Sequence, residues 1–367
     1  MPKLSMNECG GRRVAVAMDK FKGTLTAREA VDVTSDRIEA RWPGVTVLRL
    51  PLADGGEGTA RVIGDLMGLE RGYPAGRDAL GRDIGEVEYR YGPECVVADV
   101  AALLSLDHLS PGERDVFRTS SAPVGDMLAA LMERHPGVPV WLGVGGTATC
   151  DAGLPAAERL LALSRERGFT LSPITLLTDV DVPLLAPEGE PSAMSFVEQK
   201  GCPGPRRPEM RRRLEAALRR LEPDRKQYPG DGAGGGIPFA FRRLLGASVT
   251  DGAKFILKLS GLFSDPLPDI VITGEGSLDE QSAMGKLTGR IAREGRRLGI
   301  PVTALCGRVK EDFVNEDAEG PLFSRVISSE RYALPGERLD AVTAARRLER
   351  AVDALPFCGG GTQPFED

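Results

Sequence analysis

The sequence predicts an α/β protein with parallel sheets, because short buried strands alternate with amphipathic helices along the chain. The first strand is the apolar run 14–18 (Val-Ala-Val-Ala-Met), and a second strand is expected over 45–50. Between them, Thr26 and Glu29 have the spacing of a capping box, and Pro43-Gly44 ends the helix that they open. Later strands are expected at 138–143, 174–177, 269–272 and 301–305, and helices from about 156, over 206–222 and over 285–298.

The segment 83–100 has a different pattern. Apolar and polar residues alternate on both sides of Gly92-Pro93, which is typical of an antiparallel hairpin. Because the βαβ pattern near the end of the chain matches the one at its start, we expect one domain to be built from both chain ends. The predicted fold class is therefore α/β with two domains. Residues 12–70 and 266–356 are expected to form a parallel-sheet domain, and residues 71–265 an inserted mixed-sheet domain.

Composition excludes several classes of protein. The 367 residues carry 47 basic and 53 acidic side chains, a formal net charge of −6. With 41% apolar residues the chain can bury a core, so a disordered protein is not expected. The acidic balance and the 5% of aromatic residues argue against a nucleic-acid partner, and the arginines within 206–220 are interpreted as a solvated helix face. No apolar run approaches the ~20 residues of a membrane span, so no membrane partner is expected.

Cysteine and histidine usage limits the chemistry further. The six cysteines are scattered without a Cys-x-x-Cys spacing, so neither disulfides nor a structural zinc site is expected. The start of the chain shows no apolar signal sequence, and we therefore expect a cytoplasmic protein. His108 and His135 lie in polar, loop-like stretches, so catalysis is expected to use neither a Ser-His-Asp nor a Cys-His arrangement.

Four segments that follow predicted strands combine glycines with acidic or hydroxyl residues. They are 54–59, 145–151, 179–181 and 274–279. Glycines let backbone N–H groups approach phosphate oxygens closely, and carboxylates nearby can hold Mg²⁺ together with phosphates. Any one of these segments is equally well explained as an ordinary tight turn. Together they fall at the sheet edge where α/β proteins bind ligands, which favours a phosphate site.

Lysines near these segments have two interpretations. Lys20 and Lys22 follow the first strand, where they could bind a carboxylate or a phosphate, or simply be solvated. The same alternatives hold for Lys200 and Lys286.

Known nucleotide motifs match poorly. Lys286 is not part of a Walker A loop, because Glu280 stands where that motif needs glycine and Leu287 where it needs Ser or Thr. The segment 143–148 (Gly-Val-Gly-Gly-Thr-Ala) matches G-x-G-x-x-A after a strand. It keeps a nicotinamide-dependent dehydrogenase as an alternative function.

The motifs, in their order, resemble those of the bacterial glycerate kinase family. The resemblance runs from about residue 13 to about 310. Its matching segments are 19–25 (Asp-Lys-Phe-Lys-Gly-Thr-Leu), 53–59, 143–149, 179–181, 199–201 (Gln-Lys-Gly), 232–236 (Gly-Ala-Gly-Gly-Gly), 271–279 and 285–286. The resemblance implies phosphorylation of glycerate by ATP, with 2-phosphoglycerate as the expected product. It also implies Mg²⁺, a flavodoxin-like domain and a domain resembling restriction endonucleases with the site between them. A homo-oligomer is left open.

The candidate site residues come from the strand-end segments together with this resemblance. The catalytic candidates are Asp54, Asp151, Asp179 and Asp181, and the metal candidates are Asp179 and Asp279. The substrate candidates are Lys20, Lys22, Gly55, Gly56 and Lys200. The nucleotide candidates are Gly145, Gly146, Thr147, Gly274, Glu275, Gly276 and Lys286.

The chain departs from the family pattern at three places. Cys150 and Val182 stand where the family usually has asparagine, and Lys20 stands where it usually has serine. Ala152 also replaces the first glycine of an Asp-Gly-Gly run. If the lost amides touch the substrate, specificity or activity changes. A non-catalytic relative that binds a small acid or a nucleotide is therefore a further alternative.

Overall fold

The computed structural model describes residues 11–280, 282 and 286–355. These residues form two compact units, which we call the terminal unit (residues 11–53 and the described residues between 260 and 355) and the central unit (residues 54–259). The first boundary precedes the 70/71 boundary expected from the sequence, because the helix at Thr59–Met67 packs on strands of the central unit. The second boundary likewise precedes the expected 265/266.

The strands, in chain order, are β1 Arg13–Met18, β2 Thr46–Pro51, β3 Glu70–Gly72, β4 Ala75–Arg77, β5 Asp83–Glu86, β6 Tyr89–Tyr91, β7 Val96–Asp99, β8 Val140–Gly143, β9 Ile174–Thr178, β10 Ser248–Asp251, β11 Ile270–Gly274, β12 Ser277–Leu278, β13 Val302–Cys306, β14 Arg308–Val309, β15 Glu316–Asp317, β16 Gly320–Pro321 and β17 Arg325–Ser328.

The α-helices are α1 Ala27–Arg41, α2 Thr59–Met67, α3 Ala101–Leu104, α4 Ala122–Arg134, α5 Leu154–Arg167, α6 Arg207–Leu221, α7 Ile237–Leu245, α8 Gly252–Ser260, α9 Leu287–Leu298 and α10 Ala341–Asp353. Short 3₁₀ turns occur at Leu106–His108, Pro111–Glu113, Ala193–Phe196, Gly204–Arg206, Ala233–Gly235 and Ser329–Tyr332.

The terminal unit is built on a five-stranded, fully parallel sheet with the order β17-β13-β11-β1-β2. Renumbered within the unit, this is the 2-1-3-4-5 order of flavodoxin-like folds. Helices α1 and α10 pack against each other, and their apolar faces share a core with β1. The order of the strands reverses between β1 and β11, and ligands of open α/β sheets bind at the carboxyl ends of such a pair.

The central unit is built on a six-stranded mixed sheet with the order β10-β9-β8-β7-β6-β3. Strands β7 to β10 are parallel, whereas β6 is antiparallel to both of its neighbours. Helices α4, α5 and α7 pack together over a core that includes Val140 and Leu142 of β8, and α2 packs on β6, β7 and β8. The carboxyl ends of four parallel strands therefore meet at one edge of this sheet.

The expected fold class is confirmed: both units are α/β, one parallel sheet is assembled from the two ends of the chain, and the inserted sheet is mixed. The capping box at Thr26 and Glu29 forms and opens α1. The hairpin around Gly92-Pro93 is present as β6 and β7, but its first strand is short because residues 83–86 pair with β4 instead. Strand β17 and helix α10, which complete the terminal unit, were not predicted from the sequence. The glycines at 359–361 lie outside the described residues.

Candidate active site

The carboxyl edge of the central sheet collects most of the residues that the sequence singled out. Asp99 ends β7, Gly143 ends β8, Asp179 directly follows β9 and Gly252 directly follows β10. The loop 54–58 lies against all four strand ends. It leads into α2, whose N-terminus at Gly58 has a left-handed backbone (φ 92°).

Backbone contacts at this edge are too close for side chains. A Cβ added to Gly55 would lie 2.9 Å from the carbonyl carbon of Thr178, and one added to Gly252 would lie 2.4 Å from the Cα of Gly55. A Cβ added to Gly145 would lie 2.5 Å from Asp179 Oδ2 and 2.7 Å from the Cα of Gly56. Glycine is needed here because four chain segments meet within van der Waals distance. The structure therefore brings Gly55, Gly56, Gly145 and Asp179 together.

Two carboxylates flank Gly56. Asp54 Oδ1 accepts a hydrogen bond from the Gly56 N–H at 3.0 Å. A Cβ placed on Gly56 would lie 3.0 Å from Asp54 Oδ1 and 3.8 Å from Asp179 Oδ2. Both aspartates are half-buried. Two carboxylates that approach the same face of a glycine form an acidic pair of the kind that handles a proton or a divalent cation.

A buried lysine lies beside this pair. Lys200 is 5% exposed, and its ammonium group donates to Thr147 Oγ1 at 3.1 Å and to the Thr149 carbonyl at 2.9 Å. Burial lowers the pKa of Lys200, and the charges of Asp179 and Asp151 oppose that effect only in part. Within the described residues no carboxylate lies within ion-pairing distance of Lys200 in the structure. A buried ammonium held by two neutral oxygens keeps one N–H for a further acceptor, which suits an anion.

Asp151 has a different surrounding from the other catalytic candidates. Its carboxylate is 5% exposed and accepts from the Ser121 N–H at 2.7 Å and the Gly153 N–H at 3.1 Å, at the starts of α4 and α5. Burial raises the pKa of Asp151 while these hydrogen bonds oppose the rise. Both oxygens thus join two helix N-termini. Its catalytic assignment stays a prediction, and its contacts favour a positioning role.

The remaining candidates of the central unit occupy distinct surroundings. Gly146 is exposed with φ 75°, and Thr147 is buried against Lys200. Asp181 is exposed, two residues beyond Asp179. Cys150 is fully buried in an apolar cluster, and burial raises the pKa of its thiol to about 11. The departure at Cys150 therefore replaces an amide by a group that tolerates burial without hydrogen bonds.

The match to a dinucleotide motif at 143–148 does not form a dinucleotide turn. In that motif the glycines lead directly from a strand into a helix, whose N-terminus faces the pyrophosphate. Here α5 begins only at Leu154, and the space beside Gly145 is filled by Asp179. The geometry does not support the dehydrogenase alternative.

In the terminal unit, the candidates lie where the strand order reverses. Lys20 and Lys22 follow β1, and Gly274 ends β11. The Asp19 N–H donates to the Gly274 carbonyl at 3.0 Å, and a Cβ on Gly276 would lie 3.0 Å from the backbone nitrogen of Lys22. These two loops are therefore in direct contact at the expected ligand edge.

Glu275 is the buried acid of this edge. Its Oε1 accepts from Thr288 Oγ1, in the first turn of α9, at 2.5 Å. Burial raises the pKa of Glu275, and the Thr288 and Ser282 hydroxyls and Lys286 oppose the rise. The carboxylate thus holds the start of α9 against the end of β11.

Asp279 lies between two lysines. Lys310 Nζ is 2.9 Å from Asp279 Oδ2, and Lys286 Nζ is 4.0 Å from Oδ1. Burial raises the pKa of Asp279, but Lys310 and Lys286 outweigh it, so the pKa of this carboxyl lies below its ordinary value. The Ser282 N–H and hydroxyl also bond Oδ1. Because both oxygens of Asp279 already have partners, this carboxylate is better suited to orienting the two lysines than to binding a metal ion. The assignment of Asp279 as a metal ligand stays a prediction.

Three functional candidates were missed by the sequence analysis. Asp99 was interpreted only as part of a hairpin, although an aspartate that ends a buried strand is a usable signal. Lys310 and Thr288 belong to segments without a motif, and they become visible only through their contacts with Asp279 and Glu275.

Other expectations concern groups outside this site. Cys95, Cys150, Cys202 and Cys306 are buried free thiols. His135 Nε2 bonds the Tyr89 hydroxyl and His108 Nε2 the Ala102 carbonyl. Among residues 11–280, 282 and 286–355, no three Cys, His, Asp or Glu side chains are grouped to hold a metal ion by themselves. None of the helices described is long and apolar enough to cross a membrane.

Comparison with known proteins identifies the relatives of this chain. The model of the glycerate kinase family matches residues 14–168 and 165–354. Glycerate kinase from Halalkalibacterium halodurans is 28% identical, over 89% of this chain and 94% of that protein. Glycerate 2-kinase from Escherichia coli K12 is 27% identical, over 86% of this chain and 91% of that protein.

A solved structure shares the fold. It is a crystal structure of a protein provisionally named glycerate kinase 2, from Salmonella typhimurium LT2, with a TM-score of 0.71 and 23% identity. The similarity covers 93% of this chain and 96% of that one. The family model spans nearly all of the residues that carry the two sheets, and we conclude that this chain belongs to the glycerate kinase family.

Proposed function

We propose that this protein transfers the γ-phosphoryl group of ATP to a hydroxyl group of glycerate. Phosphoryl transfer depends on positioning and charge neutralisation, with little covalent chemistry for the protein itself. The chain supplies carboxylates, glycine loops and lysines at the carboxyl ends of both sheets, and it has histidines at neither place.

The single observation that carries the proposal is the position of Asp179 against Gly145 and Gly56, close enough to the buried Lys200 for its charge to act on the pKa of that lysine. Glycerate has a carboxylate next to its hydroxyl groups, so it needs a cation for the first and a proton acceptor for the second. In our proposal the Lys200 ammonium binds the carboxylate, and Asp179 accepts the proton of the reacting hydroxyl. The Gly55 and Gly56 backbone lines the same place.

The kinase family also implies Mg²⁺, and one residue of the central edge fits it best. Asp54 uses Oδ1 in its bond to Gly56, and its other oxygen would be the ligand that holds the cation. When bound, Mg²⁺ neutralises phosphate charge during transfer. Asp279 fits less well, because Lys310 already bonds it. We therefore assign the cation to Asp54.

For nucleotide binding we propose residues from the strand-end loops of each unit. In the terminal unit, Lys286 and Lys310 supply cations for phosphate oxygens, and Lys20 and Lys22 extend the charge at the neighbouring strand end. Gly274, Glu275 and Gly276 lie at the end of β11 on the same edge, where Gly274 is buried and the other two are half-buried. In the central unit, Gly145, Gly146 and Thr147 offer backbone and hydroxyl groups.

A panel of short hydroxy acids tests the proposal. Purified protein with ATP and Mg²⁺ should release ADP with D-glycerate and much less with lactate or glycolate, which lack one of its two hydroxyl groups. ADP release that does not depend on any acid would contradict it. Binding of glycerate and ATP without turnover would instead favour the non-catalytic alternative, which rests on Cys150 and Val182. Asparagine is then restored at both positions. Turnover in that variant would show that Cys150 and Val182 impair an otherwise active enzyme, whereas binding still without turnover would support the non-catalytic alternative.

A further inference from the structure

Asp99 is a buried acid that no motif predicts and the proposed chemistry does not use. It is the last residue of β7 and is 8% exposed. Its Oδ2 accepts from the Gly58 N–H at 2.9 Å, and its Oδ1 accepts from the Ala60 N–H at 3.0 Å. One carboxylate therefore binds the end of loop 54–58 and the first turn of α2. Gly58 offers no side-chain cap of its own, so Asp99 acts as a cap from another strand.

The neighbouring strand is shaped to admit this carboxylate. A Cβ added to Gly143, at the end of β8, would lie 2.6 Å from Asp99 Oδ1 and 3.1 Å from the Gly55 carbonyl oxygen. It would also lie 3.2 Å from Cβ of Thr59. The absence of a side chain at Gly143 thus makes room for the carboxylate and for both ends of the loop. Asp99 at the end of β7 and Gly143 at the end of β8 therefore contribute to the same contact.

The loop held in this way carries the acidic pair. Asp54 begins it, and Gly56, between Asp54 and Asp179, forms its middle. A shift of the loop would change the distance between Asp54 and Asp179 and the space for an acceptor beside Gly55. Displacements of about 1 Å far from the reacting atoms can cost about a hundredfold in rate.

We propose that Asp99 is a positioning residue, which acts through loop 54–58 on acceptor binding and transfer; this inference rests on the proposed function. In this role Asp99 acts through the loop and not on either reactant directly. It fixes the loop by charge-assisted hydrogen bonds to two backbone N–H groups, which are stronger than bonds to a neutral acceptor. Its removal should therefore affect glycerate, which loop 54–58 lines, more than ATP.

The matched variants are Asp99→Asn and Asp78→Asn. Asp78 is 1% exposed in the same unit, and its carboxylate also accepts from two backbone N–H groups, those of Leu80 and Arg82, both at 2.9 Å. It lies outside every proposed site segment. For Asp99→Asn we expect KM for glycerate to rise about tenfold and kcat to fall about tenfold or more, with KM for ATP within about twofold. For Asp78→Asn we expect a lower melting temperature and unchanged values of both KM.

A structural role alone would lower the amount of folded enzyme and leave both KM values unchanged, as for Asp78→Asn. That result for Asp99→Asn would overturn the inference. Gly143→Ala approaches the same contact from the other strand and should produce the same split between the two KM values. If Asp99→Asn does not fold, unchanged KM for glycerate in Gly143→Ala overturns the inference. In the double variant the two losses should combine to less than their product, because they disturb one contact.

Hydrogen exchange separates this inference from the proposed function. In the protein without substrates, the amides of Gly58 and Ala60 should exchange faster in Asp99→Asn than in the unmodified chain, and those of Leu80 and Arg82 should not. If the unmodified protein does not phosphorylate glycerate, the proposed function fails. Hydrogen exchange still tests whether Asp99 holds the loop. Unchanged exchange rates of the Gly58 and Ala60 amides in Asp99→Asn would overturn that part of the inference.

Discussion

The two strand-end regions of this protein position their candidate site carboxylates in different ways. At the central edge, glycines bring four chain segments into contact, and the carboxylates of Asp54 and Asp179 are placed by that packing. At the terminal edge, exposed and half-exposed lysines gather around Asp279, whose side chain is 14% exposed. Both edges contain closely packed glycines, but Asp54 and Asp179 are placed by that packing, whereas Asp279 is placed by its ion pairs with Lys310 and Lys286.

This difference indicates what each region tolerates. A packed edge loses its geometry when one methyl group is added, because the neighbouring backbone cannot move away cheaply. A charge-paired edge near solvent loses only part of its attraction when one lysine is removed, and salt weakens what remains. We therefore expect large, salt-independent effects at the central edge and smaller, salt-dependent effects at the terminal edge.

The largest effect is expected for Asp179→Asn. If Asp179 accepts the hydroxyl proton, kcat should fall by about 10² to 10⁴, the usual range for loss of a general base. KM for ATP should change little. Asp181→Asn should cost much less, since Asp181 is exposed. Steady-state kinetics decides between them, and an unaffected turnover in Asp179→Asn would remove this residue from the site.

Gly145→Ala tests the steric fit of the central edge. The added Cβ would lie 2.5 Å from Asp179 Oδ2 and 2.7 Å from the Cα of Gly56, so the acidic pair must move apart. We expect kcat to fall by about a hundredfold. The control is Gly112→Ala, because Gly112 has no atom within 4 Å of its Cβ position. Equal activity of the two variants would show that the close packing has no functional role.

Lys200 is a pH-sensitive cation of the central edge. Lys200→Met should raise KM for glycerate about ten- to a hundredfold, since hydrogen bonds to charged groups contribute about 1.5–3 kcal/mol. Burial lowers the pKa of Lys200 below its ordinary 10.5, so the charged form is present below the lowered pKa and is lost as pH rises through it. KM for glycerate should therefore rise with pH on the alkaline side.

The Lys200→Arg variant is the control for that pH dependence. A guanidinium stays charged throughout this range, so the alkaline rise in KM should disappear even if the affinity itself is lower. The same rise in Lys200→Arg as in the unmodified protein would assign the titration to another group. Measurements of KM for ATP on the same samples show whether the effect is confined to the acid.

Lys310→Met tests the charge-paired edge. Lys310 is 43% exposed, so we expect KM for ATP to rise only about three- to tenfold, with KM for glycerate unchanged. Added salt should shrink the difference between this variant and the unmodified protein. Lys258→Met, at an exposed position of α8, is the control. If glycerate affinity changes instead of ATP affinity, the assignment of the two edges is reversed.

The smallest effect concerns stability. Ala152 has a left-handed backbone with φ 58° and is fully buried, although alanine pays a steric cost in that region. Ala152→Gly, which reinstates the residue typical of the family, should raise the free energy of unfolding by at most about 1 kcal/mol, because the flexibility of glycine in the unfolded chain offsets part of the relief. Thermal melting measures it, and a lower melting temperature would show that the strain is already relieved by the surroundings.

Much of the fold could be predicted from local patterns. The capping box of α1, the buried strand β1 and the hairpin around Gly92-Pro93 follow from residues that are close in sequence. The boundary of the central unit could not, because α2 follows β2 in the chain but packs on β6, β7 and β8. Such a choice of partner is a property of tertiary packing, which periodicity does not reveal.

The candidate site was predicted unevenly for the same reason. Gly56, Gly145 and Asp179 were chosen as strand-end residues, and the structure brings them into contact. Asp151 matched a motif, yet its oxygens bond the starts of two helices. Asp99 matched none, although its carboxylate holds loop 54–58. A motif identifies residue types in order, whereas the partners of a buried carboxylate depend on which strands become neighbours.

Phosphorus NMR of a reaction with ATP, Mg²⁺ and D-glycerate tests the central claim most directly. We predict a new phosphomonoester resonance that grows in step with ADP, and its position distinguishes 2-phosphoglycerate from 3-phosphoglycerate. The resonance should be almost absent with Asp179→Asn. Formation of inorganic phosphate alone, or of the same product at the same rate without Asp179, would contradict the account.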